Sequence, residues 1–135
     1  MFLDTNVFVY AHDDADEHKT RQAQELIAGL AMEEDIAISS QVVQEFCSVV
    51  LNKIGLAVSE LQCIVNDEFA KTMAHTPDIA FYQRALDLQQ RYRLSFYDSL
   101  IVQAALDLGC RTLYSEDLQA GARYGTLTVI NPFEA

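Results

Sequence analysis

Four acidic residues of this chain stand in apolar company. Asp4 closes Met1-Phe2-Leu3-Asp4, Glu45 lies in Val42-Val43-Gln44-Glu45-Phe46, and Asp98 lies in Phe96-Tyr97-Asp98-Ser99-Leu100-Ile101. Asp117 follows Thr112-Leu113-Tyr114-Ser115-Glu116. A carboxylate carried against a core is costly unless it is paired. Basic residues are too sparse near these positions to give each acid a local ion pair. A hard divalent cation accommodates several carboxylates at once. The pattern therefore points to metal-dependent phosphate chemistry.

The elements that must position these acids follow from periodicity. Met1–Asp4 reads as a short buried strand. Ala23, Leu26, Ile27, Leu30 and Ala31 recur at helical spacing within a helix of about residues 16–34. Asp35–Ser39 reads as a second strand, and Ser40 as the N-cap of a helix over Gln41–Ile54 that Gly55 ends. Ser59 opens another helical pattern through Leu61, Ile64, Val65 and Phe69. Thr76-Pro77-Asp78 reads as a cap with proline at the first helical position, opening a helix to about Arg91. Phe96–Leu108 is a further helix, closed by Gly109, and Arg111–Ser115 and Leu127–Ile130 are strands. Strands joined through helices predict an α/β sandwich with a mainly parallel sheet.

In such sheets ligands sit beyond the carboxyl ends of the strands. Asp4 and Asp117 occupy those positions. Glu45 shares a helix face with Val42 and Val49, and Asp98 with Ile101 and Ala105. Each acid also has an ordinary structural use. Asp98 suits the first turn of a helix, Glu45 a buried pair, Asp4 an Asx turn, and Asp117 the cap of a short helix over Leu118–Ala122. Convergence of all four on one sheet edge favours a site.

Bulk properties narrow the classes. The chain has 135 residues, 50% hydrophobic and 21% charged, which suits one soluble domain over residues 1–135. No apolar run approaches the ~18–20 residues of a membrane span. The start lacks a signal-peptide pattern, so the cytoplasm is the expected location and no membrane partner is expected. Cys47, Cys63 and Cys110 lack metal-ligand spacing and read as reduced, mostly buried thiols. His12, His18 and His75 read as surface residues. A net charge of −11 opposes tight non-specific nucleic-acid binding but suits a basic protein partner. Arg84, Arg91 and Arg93 precede the Asp98 helix and suit either an RNA-flanking role or pairing with surface acids.

The chain resembles the PIN-domain ribonucleases, and within them the VapC-like toxins of prokaryotic toxin–antitoxin pairs. Four segments carry the resemblance: Asp4-Thr5-Asn6-Val7-Phe8-Val9-Tyr10, Ser39-Ser40-Gln41-Val42-Val43-Gln44-Glu45-Phe46, Phe96-Tyr97-Asp98-Ser99-Leu100-Ile101, and Leu113-Tyr114-Ser115-Glu116-Asp117. The ending Leu127-Thr128-Val129-Ile130-Asn131-Pro132-Phe133 also suits that group. Ser115 stands where the family commonly has threonine and keeps the hydroxyl. Glu116 is an additional acid, expected to point away, to modulate the site, or to replace Asp117.

The resemblance implies a PIN-like three-layer sandwich and a metal-dependent endoribonuclease that leaves a 3′-hydroxyl and a 5′-phosphate. All-oxygen ligands favour Mg²⁺, with Mn²⁺ possible as a substitute. Asp4, Asp98 and Asp117 are the expected metal ligands, directly or through water. Glu45 is expected beside them, orienting or deprotonating the attacking water. Thr5, Asn6 and Ser115 are expected as supporting donors or substrate contacts. The implied partners are RNA, a cognate antitoxin and a second copy of the chain. An alternative is a non-catalytic PIN-like module binding RNA or antitoxin. A haloacid-dehalogenase-type phosphatase needs a second aspartate two residues after the first, where this chain has Asn6.

Overall fold

The computed structural model describes residues 1–134. Strand β1 is Phe2–Leu3, with both side chains fully buried. The Asp4 carboxylate caps helix α1, Thr5–His12, by accepting from the Thr5 amide at 2.7 Å. Val7, Phe8 and Ala11 form its buried face. Asp16 caps α2, Glu17–Met32, through the amides of His18 and Lys19.

Strand β2, Ile38–Ser39, runs straight into α3, Ser40–Val49, so Ser39 and not Ser40 is the N-cap residue. The helix widens into a π-helical turn at Val50–Ile54 and stops at Gly55, whose φ of 75° is the left-handed cap expected of glycine. Helix α4, Val58–Ile64, ends in a second π-helical turn, Val65–Phe69, followed by β3, Met73–His75. Asp78, rather than Thr76, caps α5, Ile79–Tyr92, by accepting from the Phe81 amide at 2.7 Å. Ser95 caps α6, Phe96–Asp107, through the Asp98 amide at 3.1 Å. Strands β4, Thr112–Tyr114, β5, Arg123–Tyr124, and β6, Leu127–Ile130, complete the described elements.

The main sheet has the order β1-β4-β6-β5, parallel except for the β5–β6 hairpin. Strands β2 and β3 form a parallel pair that abuts β1 through a Phe2–Ala37 bridge. The result is the expected α/β sandwich, a mainly parallel central sheet flanked by helices. Helix α6 is buried continuously from Ser99 to Ala105, which is the signature of a helix covered on all sides. Phe8, Phe46 and Phe69 pack edge to face, with Phe69 5.0 Å from Phe8 and 5.2 Å from Phe46.

Several expectations are corrected. Leu118–Ala122 is a turn, not a helix. His75 is buried to 9% exposure, because β3 places it beside Ser39, and its Nε2 lies 3.2 Å from Asp107. His12 is half-buried against Phe46 and bonds Glu68, leaving only His18 exposed among the histidines. Cys63 is exposed, whereas Cys47 is half-buried and Cys110 buried.

Candidate active site

Pairing of β1 with β4 sets Leu3 beside Tyr114, so the residues that leave the two strands meet. The Asp4 amide donates to the Tyr114 carbonyl at 2.9 Å. The Asp4 carboxylate is 4% exposed and accepts on both oxygens, from the Thr5 amide and from Ser115 Oγ at 2.7 Å. Ser115 is fully buried, and its oxygen also accepts from the amides of Asp117 at 3.1 Å and Leu118 at 3.4 Å. One hydroxyl thus binds Asp4 and shapes the turn that presents Asp117.

Asn6 crosses the same gap. Its Nδ2 donates to Asp117 Oδ2 at 3.2 Å, and its Oδ1 accepts from the Glu116 amide at 3.3 Å. Thr5 Oγ1 donates to Glu45 Oε2 at 2.9 Å, linking α1 to α3. The structure therefore joins Asp4, Glu45 and Asp117 through Thr5, Asn6 and Ser115.

Asp98 is attached differently. It lies half-buried in the first turn of α6, and no hydrogen bond ties its carboxylate to the other three acids among the described residues. The link runs through Gln41, whose Nε2 donates to Glu45 Oε1 at 2.6 Å and to the Tyr97 carbonyl at 3.3 Å. Gln41 escaped sequence reasoning because an exposed-type amide carries no burial signal. Its position four residues before Glu45 on a helix was the available clue.

Electrostatics mark the pocket. Burial pushes the Asp4 carboxyl from 3.8 up to about 7, the Ser115 and Thr5 hydrogen bonds oppose the rise, and the charges of Asp117 and Glu45 add to it. Glu116 turns from the other acids to an ion pair with Lys19 Nζ at 2.8 Å, and Lys19 also bonds the Tyr10 hydroxyl at 3.3 Å. Glu116 Oε2 is buried without a partner. Arg84 is engaged away from this pocket, pairing with Asp107 at 2.7 Å.

Among the described residues no three His, Cys, Asp or Glu side chains approach closely enough to form a metal cage. The donor chemistry still fits Mg²⁺. That ion keeps several waters and commonly takes only one or two carboxylates from a protein. Two oxygen-donor acids at a sheet edge, Asp4 pushed toward protonation chiefly by burial and Asp117 beside it, meet that need.

The PIN domain family profile matches residues 1–123. The chain belongs to the PIN domain family. No curated protein sequence matches it. Among solved structures, a toxin–antitoxin complex from Klebsiella pneumoniae is similar with a TM-score of 0.68 at 17% identity, covering 99% of this chain and 98% of that one. VapC20 of Mycobacterium tuberculosis, described as a sarcin–ricin loop cleaving toxin, gives 0.67 at 14% identity, covering 86% and 88%. FitAcB from Neisseria gonorrhoeae gives 0.66 at 18%, covering 99% of each chain. At these identities the likeness is one of fold.

Proposed function

We propose that this protein is a metal-dependent endoribonuclease and the toxin of a toxin–antitoxin pair. The observation that carries the reading is the network joining Asp4, Glu45 and Asp117 where β1 and β4 end. Membership of the PIN family and the toxin–antitoxin character of the similar structures support it. One continuous core supports treating residues 1–135 as a single domain. Among the described residues no helix is long and apolar enough to cross a membrane.

Asp4 and Asp117 would hold Mg²⁺ or Mn²⁺, with Asp98 and Glu45 reaching it through water. The bound cation would supply positive charge to a phosphate oxygen and acidify water. Glu45 carries the proton-transfer role. Thr5 and Gln41 each occupy one lone pair on its two oxygens and hold its plane, leaving further lone pairs to receive the proton of an attacking water. The water oxygen bonds to phosphorus, the bond to the 3′ oxygen breaks, and that oxygen takes up a proton. The products are a 5′-phosphate and a 3′-hydroxyl.

The partner reading rests on two surfaces. The net charge of −11 suits a basic antitoxin segment. A cavity of about 600 Å³ between α3 and α4 exposes Leu51, Val58 and Met73 and offers apolar anchorage for one. Ile79 and Leu86, exposed on one face of α5, supply apolar surface for a homodimer.

The test is cleavage of total cellular RNA by antitoxin-free protein in Mg²⁺, Mn²⁺ or EDTA, beside Asp4→Asn. Discrete metal-dependent fragments, absent with the variant, support the nuclease and locate its target after end mapping. Absence of cleavage by folded protein favours a PIN-like binding module instead.

A further inference from the structure

A second cavity of about 230 Å³ lies between the starts of α3 and α6. It is smaller than the roughly 300–1,000 Å³ of pockets for drug-sized ligands, and suits one flat heterocycle. Its wall carries Tyr82, Phe96 and Tyr97, which are 37%, 41% and 65% exposed. Rings this open offer faces for stacking.

Its polar side is unusual. Ser39 is the N-cap residue of α3, yet its hydroxyl makes no capping bond. Ser39 lines the cavity, and its Oγ is buried just behind that wall with no hydrogen-bond partner, in a residue only 3% exposed. An orphaned buried hydroxyl is costly, so such a group signals a missing partner. His75, paired in register with Ser39, is held rigid beside it. The Asp107 carboxylate can only accept, so His75 Nε2 carries the proton of that bond. Burial works upward on the Asp107 carboxyl, but hydrogen bonds from Arg84, Gln103 and His75 outweigh it and hold it below the ordinary carboxylate range. Gln44 adds an uncommitted amide at the mouth.

Two residues join this cavity to the acids. Gln41 lines it and bonds Glu45, and Tyr97 lines it and precedes Asp98. The geometry points to a base-recognition pocket: the nucleobase flanking the scissile phosphate, unpaired and turned out of its stack, lies against the Phe96 and Tyr97 rings and hydrogen-bonds Ser39 Oγ once that side chain rotates toward the cavity. The inference rests on the ribonuclease reading and adds to it the place where a base beside the cut is read. Unstacked bases are what aromatic walls and edge-reading donors select.

The test separates the two claims. Full-length Asp4→Asn protein is titrated with single-stranded tetraribonucleotides and with the same oligomers carrying one abasic ribose, read by NMR at Ser39, His75, Phe96 and Leu100. Intact oligomers should shift these signals, and the abasic versions should bind about tenfold more weakly. Adding Ser39→Ala should erase the preference among bases. Equal binding of intact and abasic oligomers, or shifts confined to Asp98 and Asp117, overturns the pocket. In parallel, wild-type protein and Mg²⁺ act on a randomised single-stranded RNA pool. A base bias is expected at one position beside the cut, reduced about tenfold in Ser39→Ala and in Phe96→Ala. Cleavage without positional bias overturns the pocket and leaves the nuclease standing. Base-dependent binding without cleavage does the reverse. Ser39→Ala removes no hydrogen bond and should unfold at or above the wild-type temperature. If Phe96→Ala changes the oligomeric mass and leaves the base bias intact, the aromatic face is a contact between copies and the assignment falls.

Discussion

Ser115 Oγ donates to Asp4 Oδ2 at 2.7 Å across 111 residues of sequence. The same oxygen accepts the amides of Asp117 and Leu118. A hydroxyl can serve one acid as donor and shape the turn behind another as acceptor, which neither an aliphatic nor a carboxylate side chain could do. Ser115→Ala should therefore cost about 1–3 kcal/mol in stability, since it strips partners from buried polar groups. It should also lower cleavage by moving Asp117. Chemical unfolding beside RNA cleavage checks both, and a variant with wild-type stability and rate would remove Ser115 from the design.

Asp4→Asn should abolish cleavage and leave the fold intact, because it removes charge and not volume. Its stability should also respond differently to pH. The folded-state value near 7 lies above the unfolded value of 3.8. Between these limits the folded chain holds a proton that the unfolded chain has lost, so wild-type stability relative to Asp4→Asn is greatest below about pH 4 and falls until about pH 7. The difference should reach a few kcal/mol. Mg²⁺ at pH 8 should restore stability to the wild type and not to the variant. Parallel pH profiles for the two proteins would refute the burial of this charge.

Glu45→Gln should weaken turnover more than antitoxin binding, since the amide keeps the shape and loses the base. Thr5→Val should reduce kcat by roughly 10–100-fold, because the Glu45 carboxylate loses the hydroxyl that holds one of its oxygens. A KM change with unaltered kcat would instead make Thr5 a substrate contact.

Lys19→Met should destabilise the chain by leaving Glu116 without its ion-pair partner at a site where Oε2 already lacks a bond. Combining it with Glu116→Gln should recover most of the loss. A double-mutant cycle in thermal unfolding measures the coupling, and additive effects would show that the pair contributes nothing.

Much of this site is legible in the sequence because its acids break apolar runs. Strands β1, β4 and β6 and helices α2 and α6 follow from hydrophobic pattern alone. Helix α1 does not. Val7-Phe8-Val9-Tyr10 is rich in β-branched and aromatic residues, and only the Asp4 cap and packing against the core settle it as helix. Strand β3 contains Met73-Ala74-His75, which lacks strand character, and exists because β2 offers an edge. The burial of His75 follows from that same pairing. The Ser39 hydroxyl is invisible for another reason: in sequence it is indistinguishable from an ordinary helix cap.

The β1–β4 pairing also has a temporal meaning. Asp4 is synthesised 111 residues before its hydroxyl partner Ser115, and its companion acid Asp117 follows two residues later. At ordinary translation rates that interval is on the order of ten seconds. Throughout it a nascent chain carries the first acid and lacks the strand that completes its surroundings. On the proposed reading, the chain would thus remain harmless to its own message until Ser115 and Asp117 had been added.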